Sequence, residues 1–382
     1  VRFVHTSDWH IGRTLANESL QPDQEHLLDQ VFNAVADTNA DALIIAGDIF
    51  DRAAPRKEAV ALFNDFLRRI YSQTRAAIIA IAGNHDAPER IGFNNALQDS
   101  DRVLIRGPLS DPSKPLILSD EHGQVAFSAL PYAEIFAARE AFADQTIAAP
   151  ADVLVAQVRA ARAHVPLGAR WVITAHAFVE GGVLTETERP LTMVGGIETV
   201  ASGAFDGAHY VALGHLHRAQ PAGALHIRYC GSWMGFNFDE AGETKSLSLV
   251  ELNGAGEARV QAVDLSCRRP LLVIIGELQQ LLREGRTWPE GQRQALIKAV
   301  LTDEGALLDA MGQLRAVFPH VLQLERQRRQ APQSATRDGA INRQDPHAVV
   351  SGFLEAVRGT GPDAGEASII NEVLHDLQRE EA

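Results

Sequence analysis

Cysteine is nearly missing: Cys230 and Cys267 are the two in the chain, and they form no CxxC pair. That usage offers no disulfide framework and suits a reducing, cytoplasmic setting. No apolar run approaches the roughly 18 residues of a membrane span, so no membrane association is expected. No signal peptide is expected either, because Val1-Arg2-Phe3-Val4 already reads as a strand. Basic charge is in deficit, with 35 Lys and Arg against 49 Asp and Glu and a net charge of −14. A protein that grips nucleic acid by a generally basic surface is thereby excluded. Local basic patches, or metal ions that meet phosphates directly, are not.

What is present is an alternation. The length of 382 residues and the 46% hydrophobic content suit one large domain with a smaller one. Val1 to Ser7, Ala42 to Ala46 and Ala76 to Ala82 read as strands, separated by amphipathic helices over Pro22 to Asp37 and Pro55 to Tyr71. Such a strand–helix series places helices on sheet faces and gathers ligands at the carboxyl ends of the strands. Further strands are predicted over Val103 to Arg106, Pro115 to Pro131 with a turn at Glu121-His122-Gly123, Arg170 to Ala175 and His209 to Leu213. Ala133 to Ala143 and Ala151 to His164 read as helices, and Leu225 to Leu265 as a further antiparallel layer without evident catalytic groups.

The polar residues stand where the strands stop. Asp8-Trp9-His10 follows the first strand, and in extended chain Asp8 and His10 share one side while Trp9 turns away to pack. His5 reads as a packed histidine behind them. Gly47-Asp48-Ile49-Phe50-Asp51 follows the second strand, with Asp48 the functional candidate and Asp51 structural. Gly83-Asn84-His85-Asp86 follows the third, where glycine permits a sharp turn. Asn84 can offer its carbonyl oxygen to a metal while His85 faces a substrate. Asp86 is placed to hydrogen-bond the imidazole or its loop. His176 ends another apolar run, and Gly214-His215-Leu216-His217 puts two imidazoles on one side of a strand end. Pro190 to Gly196 reads as a glycine-containing loop that could meet a ligand.

Together Asp8, His10, Asp48, Asn84, His176, His215 and His217 make seven nitrogen and oxygen ligands. That exceeds one ion's needs and fits two ions sharing a carboxylate, the arrangement that clamps a phosphoryl group. Four imidazoles disfavour Mg²⁺ and Ca²⁺, and the lack of thiolate disfavours structural zinc. Mn²⁺, Fe²⁺, Co²⁺ and Zn²⁺ all stay open on this chemistry.

The ordered series DxH, GDxxD, GNHD, a lone strand-end histidine and GHxH resembles the calcineurin-like metallophosphoesterases. The longer forms Thr6-Ser7-Asp8-Trp9-His10-Ile11-Gly12, Gly47-Asp48-Ile49-Phe50-Asp51 and Gly214-His215-Leu216-His217-Arg218-Ala219-Gln220 resemble the SbcD-type repair nucleases within them. Leu130-Pro131-Tyr132 and Tyr229-Cys230-Gly231-Ser232 extend that likeness. The resemblance implies an α/β fold: a metallophosphoesterase β-sandwich flanked by helices, with a small α+β capping domain and a C-terminal helical tail. It implies two Mn²⁺ per chain, with other divalent transition metals as alternatives. One would sit on Asp8, His10 and His217, the second on Asn84, His176 and His215, with Asp48 bridging. His85 would be the catalytic histidine at the scissile phosphate, with Asp86 as the second catalytic residue. The implied activity is a DNA nuclease, an ATP-dependent 3′–5′ exonuclease and single-strand endonuclease. It would work with an SbcC-type SMC-like ATPase in end and hairpin processing and double-strand-break repair, as a homodimer.

The expected organisation is a nuclease domain over 1–266, a capping domain over 267–330, a polar linker over 331–345 and a helical tail over 346–382. In the tail, Val349, Val350, Phe353, Leu354 and Val357, then Ile369, Ile370, Val373, Leu374 and Leu377, form two apolar stripes suited to docking on the ATPase's coiled coil. DNA contacts are expected from Arg52, Arg56 and Lys57, from Arg268 and Arg269, and from Arg326, Arg328 and Arg329. Two other functions use the same motifs: a phosphodiesterase for cyclic nucleotides or other small substrates, and a mainly architectural DNA-end-binding subunit. The small domain and tail favour the nuclease over the first, and the complete ligand set with His85 favours it over the second.

Overall fold

The computed structural model describes residues 1–93, 101–109, 114–183, 192–193, 196–197, 199–327 and 346–380. Two compact units emerge, Val1–Glu325 and Arg326–Ala382.

The strands predicted as continuous apolar runs are buried on both faces. In Ala42–Ile45, Leu43 and Ile45 point toward the helices Gln21–Asp37 and Lys57–Gln73, while Ala42 and Ile44 point the other way. Ala77–Ile81 repeats this, with Ile78 and Ala80 on the helix side and Ile79 and Ile81 opposite. Neither face can then be polar, so hydrophobicity does not alternate along the strand.

The inward face meets a second sheet. The first is ordered Ala258–Leu265, Lys245–Leu252, Arg2–Thr6, Ala42–Ile45, Ala77–Ile81, Val103–Arg106, its last four strands parallel. The second runs Gln220–Ala222, Ala224–Tyr229, Tyr210–Gly214, Arg170–His176, Gly123–Leu130, Leu116–Asp120. Between them Phe3, Ile44, Ile79 and Ile81 pack on Phe127, Val172 and Tyr210. The Phe3 ring meets Phe127 and Tyr210 edge-on at 5.6 and 5.4 Å. The helix Pro150–Arg162 covers the outer face of the second sheet. This is the helix-flanked sandwich the resemblance implied.

Leu225 to Leu265 does not form a further layer. Ala224–Tyr229 joins the second sheet, parallel to Tyr210–Gly214, and the hairpin Lys245–Leu252 with Ala258–Leu265 extends the first sheet beside Arg2–Thr6. A run of strands separated by glycines does not reveal which sheet edge each will find. Downstream, Leu271–Gly276, Leu296–Leu301 and Val321–Arg326 make a three-stranded sheet, with its own core of Ile274, Leu278, Ile297, Leu314 and Phe318.

In the second unit the helices Pro346–Arg358 and Ala364–Glu380 are joined by an ion pair between Arg358 and Glu366. The linker expected over 331–345, and Arg328 and Arg329, lie outside the described residues. Of the loop expected over Pro190 to Gly196, Thr192–Met193 pairs antiparallel with Gly196–Ile197, and the rest lies outside them too.

Candidate metal centre

Register gathers the strand ends. Thr6 lies beside Ile45, Ile45 beside Ala80, and in the facing sheet Gly214 lies beside His176. The loops that follow therefore leave from one edge of the sandwich, and the seven candidate ligands meet there. Ligand atoms of Asp8, His10 and His217 all lie within 4.8 Å of one another, as do those of Asp8, Asp48 and His176, and of His10, Asp48 and His85. All of these but His85 are buried.

Asp48 sits at the middle. Its Oδ2 is 3.7 Å from His10 Nε2 and 3.6 Å from His176 Nε2. His85 Nε2 is 4.0 Å from the same oxygen, and the His85 amide donates to Asp48 Oδ1 at 2.8 Å. Asn84 Oδ1 lies 2.9 Å from His176 Nε2 and 3.2 Å from His215 Nδ1. Asp8 accepts from the His215 amide and from the Ser7 hydroxyl.

Two expectations about local backbone need correction. Asp8 and His10 do not converge by the two-residue period of a strand, because the strand ends at Thr6 and their φ angles are +53° and +45°. Asp48 at +50° and His215 at +108° are also in the left-handed region. Non-glycine residues hold such angles only where surroundings impose them, and they concentrate at functional sites. Gly83 is not there for an unusual turn angle. It is there for space: a Cβ at Gly83 would stand 2.2 Å from Asp48 Oδ1, and one at Gly214 only 1.9 Å from the Ala46 carbonyl oxygen.

The donor set asks for cations. Neither ring nitrogen of His10 has a hydrogen-bond partner, nor does Nε2 of His215, although all three atoms are buried. Buried polar atoms are nearly always paired, and a neutral imidazole has one lone-pair nitrogen, so each of these rings is left with an unpaired acceptor of the kind a metal ion takes. His176 Nδ1 donates to the Ala46 carbonyl at 2.9 Å, so in the neutral ring Nε2 is an acceptor facing the acceptors of Asn84 and Asp48. Burial would lower the pKa of His176, but Asp48 and Asp8 outweigh it and raise the group above its ordinary value. A divalent ion satisfies the same demand with the imidazole neutral. Burial, then neighbouring His217 and His85, push His10 well down, which keeps it a neutral ligand.

Around this centre the remaining candidates separate. His85 Nδ1 is held at 3.0 Å by the Asp51 carbonyl, leaving Nε2 toward the centre. Asp86 serves the loop, not the imidazole: it accepts from the amides of Gly83, Ile49 and Phe50 at 2.9, 3.0 and 2.8 Å. It is a positioning residue that ties the two ligand loops together. His5 is packed between the Tyr210 hydroxyl and the Leu213 carbonyl, and burial pushes it down to about 3. Arg52, Arg56, Lys57 and Arg268 are exposed. Arg269, expected on DNA, is instead buried: its guanidinium binds Asp23 and Glu18 at 2.6 Å each and the Ser19 carbonyl at 2.8 Å. Its donors are spent within the fold, and its ion pairs hold it above its ordinary pKa against the cost of burial.

Several site residues carried no sequence signal. Trp233 stacks on Trp9, and Phe236 packs edge-on against His10 and His217 at 5.0 and 5.5 Å. Glu240 lies 3.9 Å from His217 Nδ1 and pairs with Lys245 at 2.5 Å. Burial raises the Glu240 carboxyl, but His217 and Lys245 bring it down to about 2. The one available hint was an acid inside the aromatic stretch Phe236-Asn237-Phe238-Asp239-Glu240.

The family model described as calcineurin-like phosphoesterase matches residues 1–219, more than half of the chain. A second model, SbcD_C, described as a type 5 capsule protein repressor C-terminal domain, matches residues 267–358. The first match covers the whole ligand set, and the second covers the three-stranded domain and the first helix of the tail.

Proposed function

Because the chain belongs to the calcineurin-like phosphoesterase family and carries an SbcD-type C-terminal domain, we propose that this metal-dependent hydrolase is a Mn²⁺-dependent DNA endo- and exonuclease. The observation that carries the two-ion reading is the Asp48 carboxylate, whose Oδ2 stands nearly equidistant from His10 and His176. A single oxygen so placed serves both ligand sets. Asp8, His10 and His217 would hold one ion and Asn84, His176 and His215 the other, with Asp48 shared between them. When bound, the pair supplies Lewis acidity to the phosphate oxygens and an acidified water.

The chain's own residues do the rest. His85, its Nδ1–H held on the Asp51 carbonyl, presents Nε2 to the phosphate and, as the imidazolium, gives the Nε2 proton to the departing 3′ or 5′ oxygen and is left neutral. Asp86 keeps the His85 loop in register with the Asp48 loop. The exposed cations Arg52, Arg56, Lys57 and Arg268 are the proposed backbone contacts on DNA, with Arg269 withdrawn from that role. The division into a nuclease domain to residue 266, a capping domain to 330, a linker to 345 and a docking tail completes the reading. The three-stranded domain, with a core of its own, supports the second of these.

The partner is an SbcC-type SMC-like ATPase, met through 346–382 in the cytoplasm, in DNA end processing and double-strand-break repair. Among the described residues no helix is long and apolar enough to cross a membrane. A homodimer through the nuclease-domain helices completes the proposed assembly.

The test is a Mn²⁺ titration against single-stranded DNA, duplex ends and cyclic nucleotides, with and without the ATPase. Cleavage of single strands alone, extended to duplex ends by the ATPase with ATP, is expected. Preferential hydrolysis of cyclic nucleotides would replace the nuclease reading by the small-substrate one.

A further inference from the structure

A partly buried ion network stands directly behind His217. The short turn Phe238–Glu240 is capped by Asn237, whose side chain accepts from the Phe238 amide at 2.7 Å. It delivers Glu240, 3% exposed, to the back of the metal centre. Glu240 Oε1 accepts from the Phe236 amide at 3.0 Å and lies 3.9 Å from His217 Nδ1. Its other oxygen accepts from Lys245 Nζ at 2.5 Å. Lys245 also donates to the His217 carbonyl at 3.1 Å and to Glu243 at 3.2 Å, and Glu243 pairs with Arg218.

Two carboxylates and two cations thus balance, and the buried pair Glu240 and Lys245 carries a desolvation cost that a well-packed apolar pair would avoid. Stability does not explain the network. Its two contacts with His217 do: one cation fixes the ligand's backbone carbonyl and, through Glu240, its ring. Histidine ligands are commonly oriented by a carboxylate on the nitrogen that does not face the metal.

We infer that Glu240 is a positioning residue for His217, accepting the Nδ1 proton so that Nε2 is the nitrogen turned toward Asp8 and His10, with Lys245 holding the pair in place. This rests on the assignment of His217 to the ion shared with Asp8 and His10. At 3.9 Å the contact is longer than a hydrogen bond, and forming one requires the ring to move toward the carboxylate.

The first experiment needs no variant. Nitrogen-15 imidazole spectra of the full, metal-free chain should show His217 as the Nδ1–H tautomer. An Nε2–H tautomer overturns the inference and leaves the metal assignment standing. Mn²⁺ calorimetry on Glu240→Gln and Lys245→Met then reads the ions directly. Each folded variant should bind one ion about 10–100-fold more weakly than wild type and the other unchanged. Both ions at wild-type affinity in a folded Glu240→Gln chain would overturn the role. An Asp8→Asn chain that binds both Mn²⁺ ions as the wild type does would remove the metal assignment and this inference with it.

Discussion

Trp9 and Trp233 stack with ring centroids 4.8 Å apart and planes 8° from parallel, and Trp233 Nε1 donates to the Trp9 carbonyl at 2.8 Å. Trp9 also donates to the Thr6 hydroxyl and takes Phe66 edge-on at 5.3 Å. Because Trp9 lies between Asp8 and His10, this packing grips the backbone from behind where both neighbours adopt left-handed angles. The ligands are aimed by a hydrophobic clamp.

Trp233→Ala should therefore cost roughly 3–5 kcal/mol of stability, the range for emptying a buried large aromatic site. It should also weaken Mn²⁺ binding, although Trp233 touches no ligand. Urea unfolding and calorimetry measure the two effects. Full destabilisation with metal affinity untouched would mean that the clamp supports the core and not the ligands.

Trp9 also marks where the sequence could be read and where it could not. Its inward turn was legible from its place between two polar residues, and the buried strands were legible from unbroken apolar runs such as Ala42-Leu43-Ile44-Ile45. The convergence of the candidate ligands was legible because they stand at or just after strand ends. Trp233 and Glu240 were not, since they act through partners more than 20 residues away and belong to no local period. Arg269 was misjudged for the same reason: nothing in Arg268-Arg269-Pro270 reveals that Asp23, 246 positions earlier, will bury it. Gly83 reads in sequence as a residue for a sharp turn, whereas its role is room for Asp48, because close approach between two loops is a tertiary fact.

That close approach can be tested. Gly83→Ala drives a methyl group into Asp48, at 2.2 Å from its carboxylate and 2.3 Å from its amide nitrogen. Either loop must move, and a displacement of about 1 Å can cost on the order of 10²-fold in rate. Hydrolysis of a small phosphodiester should fall by about that factor or more, with weaker binding of both ions. A variant with wild-type turnover would show that the loops are not held at this spacing in solution.

His85 lies within ligand distance of His10 and Asp48, so binding and chemistry have to be separated by experiment. Under the proposed role His85→Gln keeps both Mn²⁺ ions and DNA binding, while the rate drops by roughly 10²–10⁴-fold. Anomalous scattering counts the ions. A missing ion would make His85 a ligand.

Acid stability should depend on a pair far from the metal centre. The Arg170 guanidinium grips Asp120, with Nη1 to Oδ2 at 3.0 Å, and holds its carboxyl well below the ordinary 3.8. A depressed carboxyl stabilises the fold fully above the unfolded value and loses that contribution as pH falls through the folded one. Asp120→Asn should be less stable than wild type by roughly 1.5–3 kcal/mol near neutral pH, as for a charged hydrogen bond. The gap should narrow below about pH 4 and close in stronger acid. Denaturation curves at pH 7, 4 and 2 decide it, and a gap constant across the three would mean that packing, not charge, sets the difference.

The tail supplies the last test. In Pro346–Arg358 the residues Val349, Phe353 and Val357 are 43%, 64% and 67% exposed, and in Ala364–Glu380 Ile369 and Val373 are 62% and 52% exposed. Each set follows helical spacing, so each helix presents an apolar stripe to solvent, and such helices of 13 and 17 residues gain little stability alone in water. A stripe of this kind is stabilised by a groove or a partner helix. Under the proposed docking on the ATPase's coiled coil, Phe353→Asp with Ile369→Asp should abolish co-elution with the ATPase and ATP-stimulated cleavage of duplex ends. Mn²⁺-dependent cleavage of single-stranded DNA should stay at the wild-type rate, since neither residue belongs to the metal centre. A chain ending at residue 330 should behave the same way. Undiminished binding of the double variant to the ATPase would reject the docking role, and loss of basal cleavage would show instead that the stripes are needed for the fold of this chain.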